Sequence, residues 1–64
     1  MNTEELEKTQ QIMELLIEAN KNAQYLFSLS TNYTKAQRTH LLNILTLIGQ
    51  AQVNVIDLAD SFNI

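Results

Sequence analysis

Cysteine and proline are absent from this 64-residue chain, and glycine and histidine occur once each, at positions 49 and 40. Without cysteine there can be no disulfide staple and no cysteine-ligated zinc, and the chain suits a reducing, cytoplasmic setting. Without proline nothing in the sequence forces a helix to break. Cations are scarce too: four Lys and Arg stand against seven Asp and Glu, a formal net charge of −3. That balance argues against nucleic acid or an anionic membrane as the default partner. Residues 1–20 carry Glu4, Glu5 and Glu7 where an export signal would need positive charge, so none is expected. Long apolar runs are also missing. Asn43, Thr46, Gln50, Gln52 and Asn54 interrupt the apolar half, which argues against a membrane span.

So short a chain makes one domain, and its folding balance is close. Size scaling for a compact globule gives roughly 6,000 Å² buried on folding. If about 60% is apolar, ~25 cal/mol per Å² yields about 90 kcal/mol. Ordering the chain at roughly 1.5 kcal/mol per residue costs about 95 kcal/mol. With no disulfide or metal to help, a second chain is the expected source of further stability.

What is present is helical pattern. Asn2 followed by Glu5 reads as a capping box, with Thr3 as the alternative cap. Leu6, Ile12, Met13, Leu16, Ala19, Ala23, Leu26 and Phe27 then recur at three- and four-residue spacing, predicting a helix over about 3–29. Ser28–Tyr33 is rich in Ser, Thr and Asn and reads as a turn, about 30–34. Thr34 with Gln37 is a second capping box opening a helix over about 35–62. In it Leu41, Ile44, Ile48, Ala51, Val55, Leu58 and Phe62 form a heptad seam. Adding Leu42, Leu45, Leu47, Val53, Ile56 and Ala59 widens the apolar arc to roughly 220°.

That width sets the expected architecture. One partner helix covers a stripe of about 100°. Two helices of roughly 40 Å therefore suit an all-α antiparallel hairpin that pairs with a second copy into a four-helix bundle. The expected core and dimer interface comprises Leu16, Ala23, Ile44, Ile48, Ala51, Val55 and Leu58. In length, hairpin form and dimeric bundle this layout resembles the small RNA-binding plasmid copy-number proteins of the Rop family. No motif is shared, so no functional residue carries over.

Candidate chemistry is thin. His40 has no Cys or second His with which to build a metal cluster or triad. Glu14 and Glu18 at i,i+4, and Asp57 and Asp60 at i,i+3, read as solvated carboxylates rather than a cation site. No catalytic residue, metal ligand or cofactor is expected, and the chain does not read as an enzyme. Lys21, Lys35 and Arg38 form a modest basic end beside the turn, a candidate nucleic-acid contact with few cations. An antiparallel hairpin would gather Glu4, Glu5, Glu7, Asp57 and Asp60 at the other end, a candidate surface for a protein partner.

Residues 38–64 are also similar to the opening of winged-helix regulators, which run an apolar helix, a break, and a Val-x-Val-x-x-Leu-Ala-x-x-Phe-x-Val segment. Val53, Val55, Leu58, Ala59, Phe62 and Ile64 match the segment, and Gly49 would mark the break. The chain stops where the recognition helix would begin, and a reader without it has nothing to place in the groove. The leading expectation is a regulatory or adaptor protein acting by protein–protein contact, such as a phage- or plasmid-type inhibitor or antirepressor. The alternatives are a nucleic-acid-binding regulator and an oligomerisation module of a larger protein.

Overall fold

The computed structural model describes residues 3–62. It is an all-α hairpin: helix α1 (Thr3–Ser28), a single 3-10 turn (Ser30–Asn32) and helix α2 (Lys35–Ser61). No strand occurs among the described residues. Glu4 and Glu5 lie in the first turn of α1, where their charge suits the positive end of the helix dipole. The capping box expected at Asn2 lies outside the described residues.

Serine hydroxyls help close α1. Ser28 Oγ donates to the Tyr25 carbonyl and Ser30 Oγ to the Phe27 carbonyl, both at 2.6 Å, occupying acceptors that lack a partner in the last turn. The chain then reverses without any left-handed residue among those described. The Tyr33 N–H donates to the Ser30 carbonyl, and Tyr33 and Thr34 are extended, which aims the chain back along α1. Thr34 then caps α2. The Gln37 N–H donates to Thr34 Oγ1 and the Thr34 N–H donates to Gln37 Oε1.

The helices meet along two heptad seams. On α1 the inward residues are Leu6, Thr9, Met13, Leu16, Asn20 and Ala23, and on α2 Leu41, Leu45, Ile48, Gln52, Val55 and Ala59, followed by the C-cap Phe62. Only Thr9, Ala23 and Leu41 are buried; the others are half-buried. Grooves lined by Thr9, Met13, Val55 and Ala59 near the open end, and by Phe27 and Leu41 near the turn, fix the register. Leu16 is thereby level with Gln52, and Asn20 with Ile48. Thr9, the one buried polar residue among those described, donates its hydroxyl to the Glu5 carbonyl.

The α2 seam differs from the heptad pattern read in the sequence. Leu41, Ile48, Val55 and Phe62 belong to both, but Leu45, Gln52 and Ala59 take the places assigned to Ile44, Ala51 and Leu58. An arc of roughly 220° holds more than one heptad line, and α1 selects the one carrying Gln52 and Ala59. Ile44 and Leu58 remain 49% and 47% exposed. Helix α2 also runs unbroken through Gly49, so the interruption expected of a winged-helix opening is not there. A Cβ built on Gly49 would meet nothing within 4 Å, so this glycine serves no close approach either.

Candidate interaction faces

Among the described residues thirteen large apolar side chains are exposed, and their placement is not random. On α1, Ile12, Leu15, Ala19 and Leu26 share one flank at three-, four- and seven-residue spacing, and Leu29 follows just beyond the helix end. On α2, Ile44, Leu47, Ala51 and Leu58 do the same. A groove lined by Leu26, Gln37, His40 and Ile44 shows that these flanks lie on the same side of the hairpin. Together they make one broad apolar face, here the Leu47 face. Leu15 is 72% and Leu47 63% exposed on it.

The opposite side, the Val53 face, carries Ile17 from α1 and Leu42, Gly49, Val53 and Ile56 from α2. Gln10 and Ile56 line one groove there, which places both flanks on that side. Gln10, Gln24 and Thr46 dilute it, and Lys35, Arg38 and Asp60 fall on the same flank of α2 toward its two ends, so it is the less apolar of the two. Near the turn, a cavity of about 440 Å³ opens between Phe27, Ser30, Thr31, Arg38, Leu41 and Leu42.

The shape explains the exposure. The hairpin measures 50 × 15 × 11 Å, with a radius of gyration of 14.9 Å where a compact chain of this length has about 10.7 Å. Its surface is 5112 Å², against about 4,200 Å² for a compact protein of the same mass. The excess, about 900 Å², matches the roughly 800 Å² that each partner contributes to an ordinary specific interface.

The residues expected at a core and dimer interface divide between two places. Leu16, Ala23, Ile48 and Val55 pack in the seam within the hairpin, while Ile44, Ala51 and Leu58 lie on the Leu47 face. Leu15 and Ile12 also belong to that face. Their i,i+3 spacing was visible in the sequence, but the side of α1 they occupy was not separable from the seam.

Charge is segregated by the topology. Antiparallel pairing puts Glu4, Glu5 and Glu7 at the same end as Asp57 and Asp60, with Lys8 the one cationic side chain near them among the described residues. Lys35 and Arg38 sit at the turn end, with Lys21 about two helical turns below it. Arg38 is partly engaged in the fold, since its Nη2 donates to the Thr31 carbonyl at 3.5 Å. Helix α2 thus carries cations at its start and carboxylates at its end, both against its own dipole. His40 is exposed beside the Leu47 face, and no group of three His, Asp or Glu side chains is placed to hold a metal among the described residues.

By length and composition α2 is apolar enough to cross a membrane. Several of its polar side chains turn back on the backbone: Thr39, Thr46 and Asn54 donate to the Lys35, Leu42 and Gln50 carbonyls. Such bonds lower the cost of placing a polar group in apolar surroundings, whether another helix or lipid. No protein-family model, curated protein or solved structure matches this chain.

Proposed function

We propose that this chain is a small non-enzymatic regulatory or adaptor protein that works as a homodimer and acts by protein–protein contact, in the manner of a phage- or plasmid-type inhibitor or antirepressor. The observation that carries the reading is the pair of unequal apolar faces. The Leu47 face is the more continuously apolar of the two, and the hairpin as a whole exposes about 900 Å² more than a compact protein of its mass, close to what one partner contributes to a specific interface. A dimer built on the Leu47 face leaves the Val53 face and the acidic end for another protein.

Two landing places follow for that partner. The end formed by Glu4, Glu5, Glu7, Asp57 and Asp60 suits a basic surface, such as the DNA-binding face of a repressor. The Val53 face suits an apolar one. Association through the acidic end weakens with salt, and association through the apolar face does not. The test is co-purification of the tagged chain from host lysate over a salt series, beside Val53→Asp and Glu4→Lys variants. Recovery of one protein, lost in one of the two variants and unchanged in the other, supports the reading. Recovery of nucleic acid in its place overturns it.

A further inference from the structure

We propose that the cavity beside the turn binds a small amphipathic anion, an apolar body ending in a carboxylate, such as a medium-chain acyl carboxylate. This goes beyond the protein-partner reading and does not depend on it. Phe27, Leu41 and Leu42 wall the cavity with apolar surface, and Arg38 stands on its polar side with Ser30 and Thr31. Its volume of about 440 Å³ falls in the range of small-molecule sites. Leu41 is buried and makes the floor, while Phe27 and Leu42 are about half exposed and have apolar surface left to cover. The cavity opens on the side of Leu42, so a second copy on the Leu47 face leaves it accessible.

The sign of the head group follows from where the charges lie. Every Asp and Glu falls between Glu4 and Glu18 or between Asp57 and Asp60, and none occurs from Ala19 to Ile56. Lys21, Lys35 and Arg38 all belong to that acid-free stretch, which folds into the turn half of the hairpin. Along the helix axes Glu18 is about 14 Å from the level of Phe27, and Asp57 about 22 Å from Leu42. Both distances exceed the ~8 Å screening length of physiological salt, so a small anion in the cavity meets the cations and not the carboxylates. A polyanion running along the 50 Å hairpin meets both. Arg38 suits a carboxylate in shape as well as sign. A guanidinium presents its N–H donors as a planar fork that can hold both carboxylate oxygens. The long bond from Nη2 to the Thr31 carbonyl, 3.5 Å, keeps that fork at the rim of the cavity.

The test is an NMR titration of the isotope-labelled full chain with octanoate, followed by amide chemical shifts. Octanol and octyltrimethylammonium run beside it, carrying the same tail on a neutral and a cationic head. Octanoate is expected to shift the amides of Phe27, Thr31, Leu41 and Leu42 saturably, with a dissociation constant of roughly 1 mM, ordinary for a ligand of about ten heavy atoms. Octyltrimethylammonium is expected to bind there severalfold more weakly. Arg38 and Leu42 are exposed enough to be replaced without unfolding the hairpin, which circular dichroism checks. Arg38→Gln is expected to bring octanoate down to the level of octanol. Leu42→Asp, which sets a carboxylate in the wall, is expected to reverse the preference in favour of the cation. Shifts centred on Ile44, Leu47 or Val53 overturn the proposal. So do equal affinities for the three head groups, a preference that neither variant changes, or no saturable shift at several times the expected concentration. The protein-partner reading, which rests on the two faces, survives any of these.

Discussion

Thr34 and Gln37 cap each other: the Gln37 N–H donates to Thr34 Oγ1 at 3.1 Å, and the Thr34 N–H donates to Gln37 Oε1 at 2.8 Å. This reciprocal pair fixes where α2 begins and so where the hairpin reverses. Thr34→Ala removes the side-chain acceptor and should cost about 1 kcal/mol. Thermal unfolding followed by far-UV circular dichroism would show it as a Tm lowered by roughly 4–8 °C. An unchanged Tm would mean that the Ser30–Asn32 turn, not the cap, sets the start of the helix.

Three positions on α2 separate the seam from the two faces. Ile48→Asp places an unpaired charge inside the hairpin, and several kcal/mol of destabilisation should unfold the chain. Leu47→Asp, on an exposed position, should leave the seam within the hairpin intact but prevent dimerisation, lowering Tm by the stability that the second copy supplies. Val53→Asp should change neither and should affect only the binding of a second protein. Circular dichroism with light scattering on the three variants checks the order. Equal behaviour of Leu47→Asp and Val53→Asp in light scattering would remove the distinction between the faces.

The extent to which this molecule was legible in advance follows from the same residues. The hairpin was readable because Thr34 and Gln37 form a local signature and SLSTNY interrupts both helical patterns. The seam was only half readable. Leu41, Ile48, Val55 and Phe62 lie on any inward line through α2, whereas Ile44 and Leu45 are equally apolar and only 100° apart. The choice between them depends on where α1 lies, which no local pattern records. Gln52 and Asn20 in the seam look like surface residues by type and displaced more apolar candidates. The two faces were hidden for the same reason, since each is defined relative to the seam.

Gly49 interrupts nothing and lies against nothing within 4 Å of a built Cβ. Gly49→Ala should therefore stabilise the chain by about 0.5–1 kcal/mol, through helix propensity and a less flexible unfolded state. Urea unfolding would show a higher midpoint at an unchanged slope. A lower midpoint would mark Gly49 as a hinge or a close contact in the assembled protein.

Helix α2 meets the length and composition of a membrane span, yet Asn43, Gln50, Asn54 and Asp57 all lie on its polar side. If its apolar arc is covered by α1 and a second copy, little remains for lipid. The purified protein is then expected to stay in the soluble fraction when mixed with neutral or anionic vesicles and floated on a density gradient. Co-flotation with neutral vesicles would assign the Leu47 face to a bilayer. Helix content that rises only on vesicle addition would do the same.

Nucleic acid should bind weakly or not at all. The chain has four Lys and Arg against seven Asp and Glu, and dimerisation doubles the imbalance, raising the cost of approaching phosphates. Of the candidate contacts, Arg38 already donates to the Thr31 carbonyl, leaving Lys21 and Lys35 as the freer cations near the turn. Base reading also needs an element that can enter a groove, and α2 is committed to the hairpin along its seam. A mobility-shift assay with duplex DNA and with RNA at about 0.15 M salt should therefore show no sub-micromolar complex. If a shift does occur, and Lys35→Glu or Arg38→Glu abolishes it, the turn end is a nucleic-acid contact. The protein-partner reading would then give way to a nucleic-acid-binding regulator.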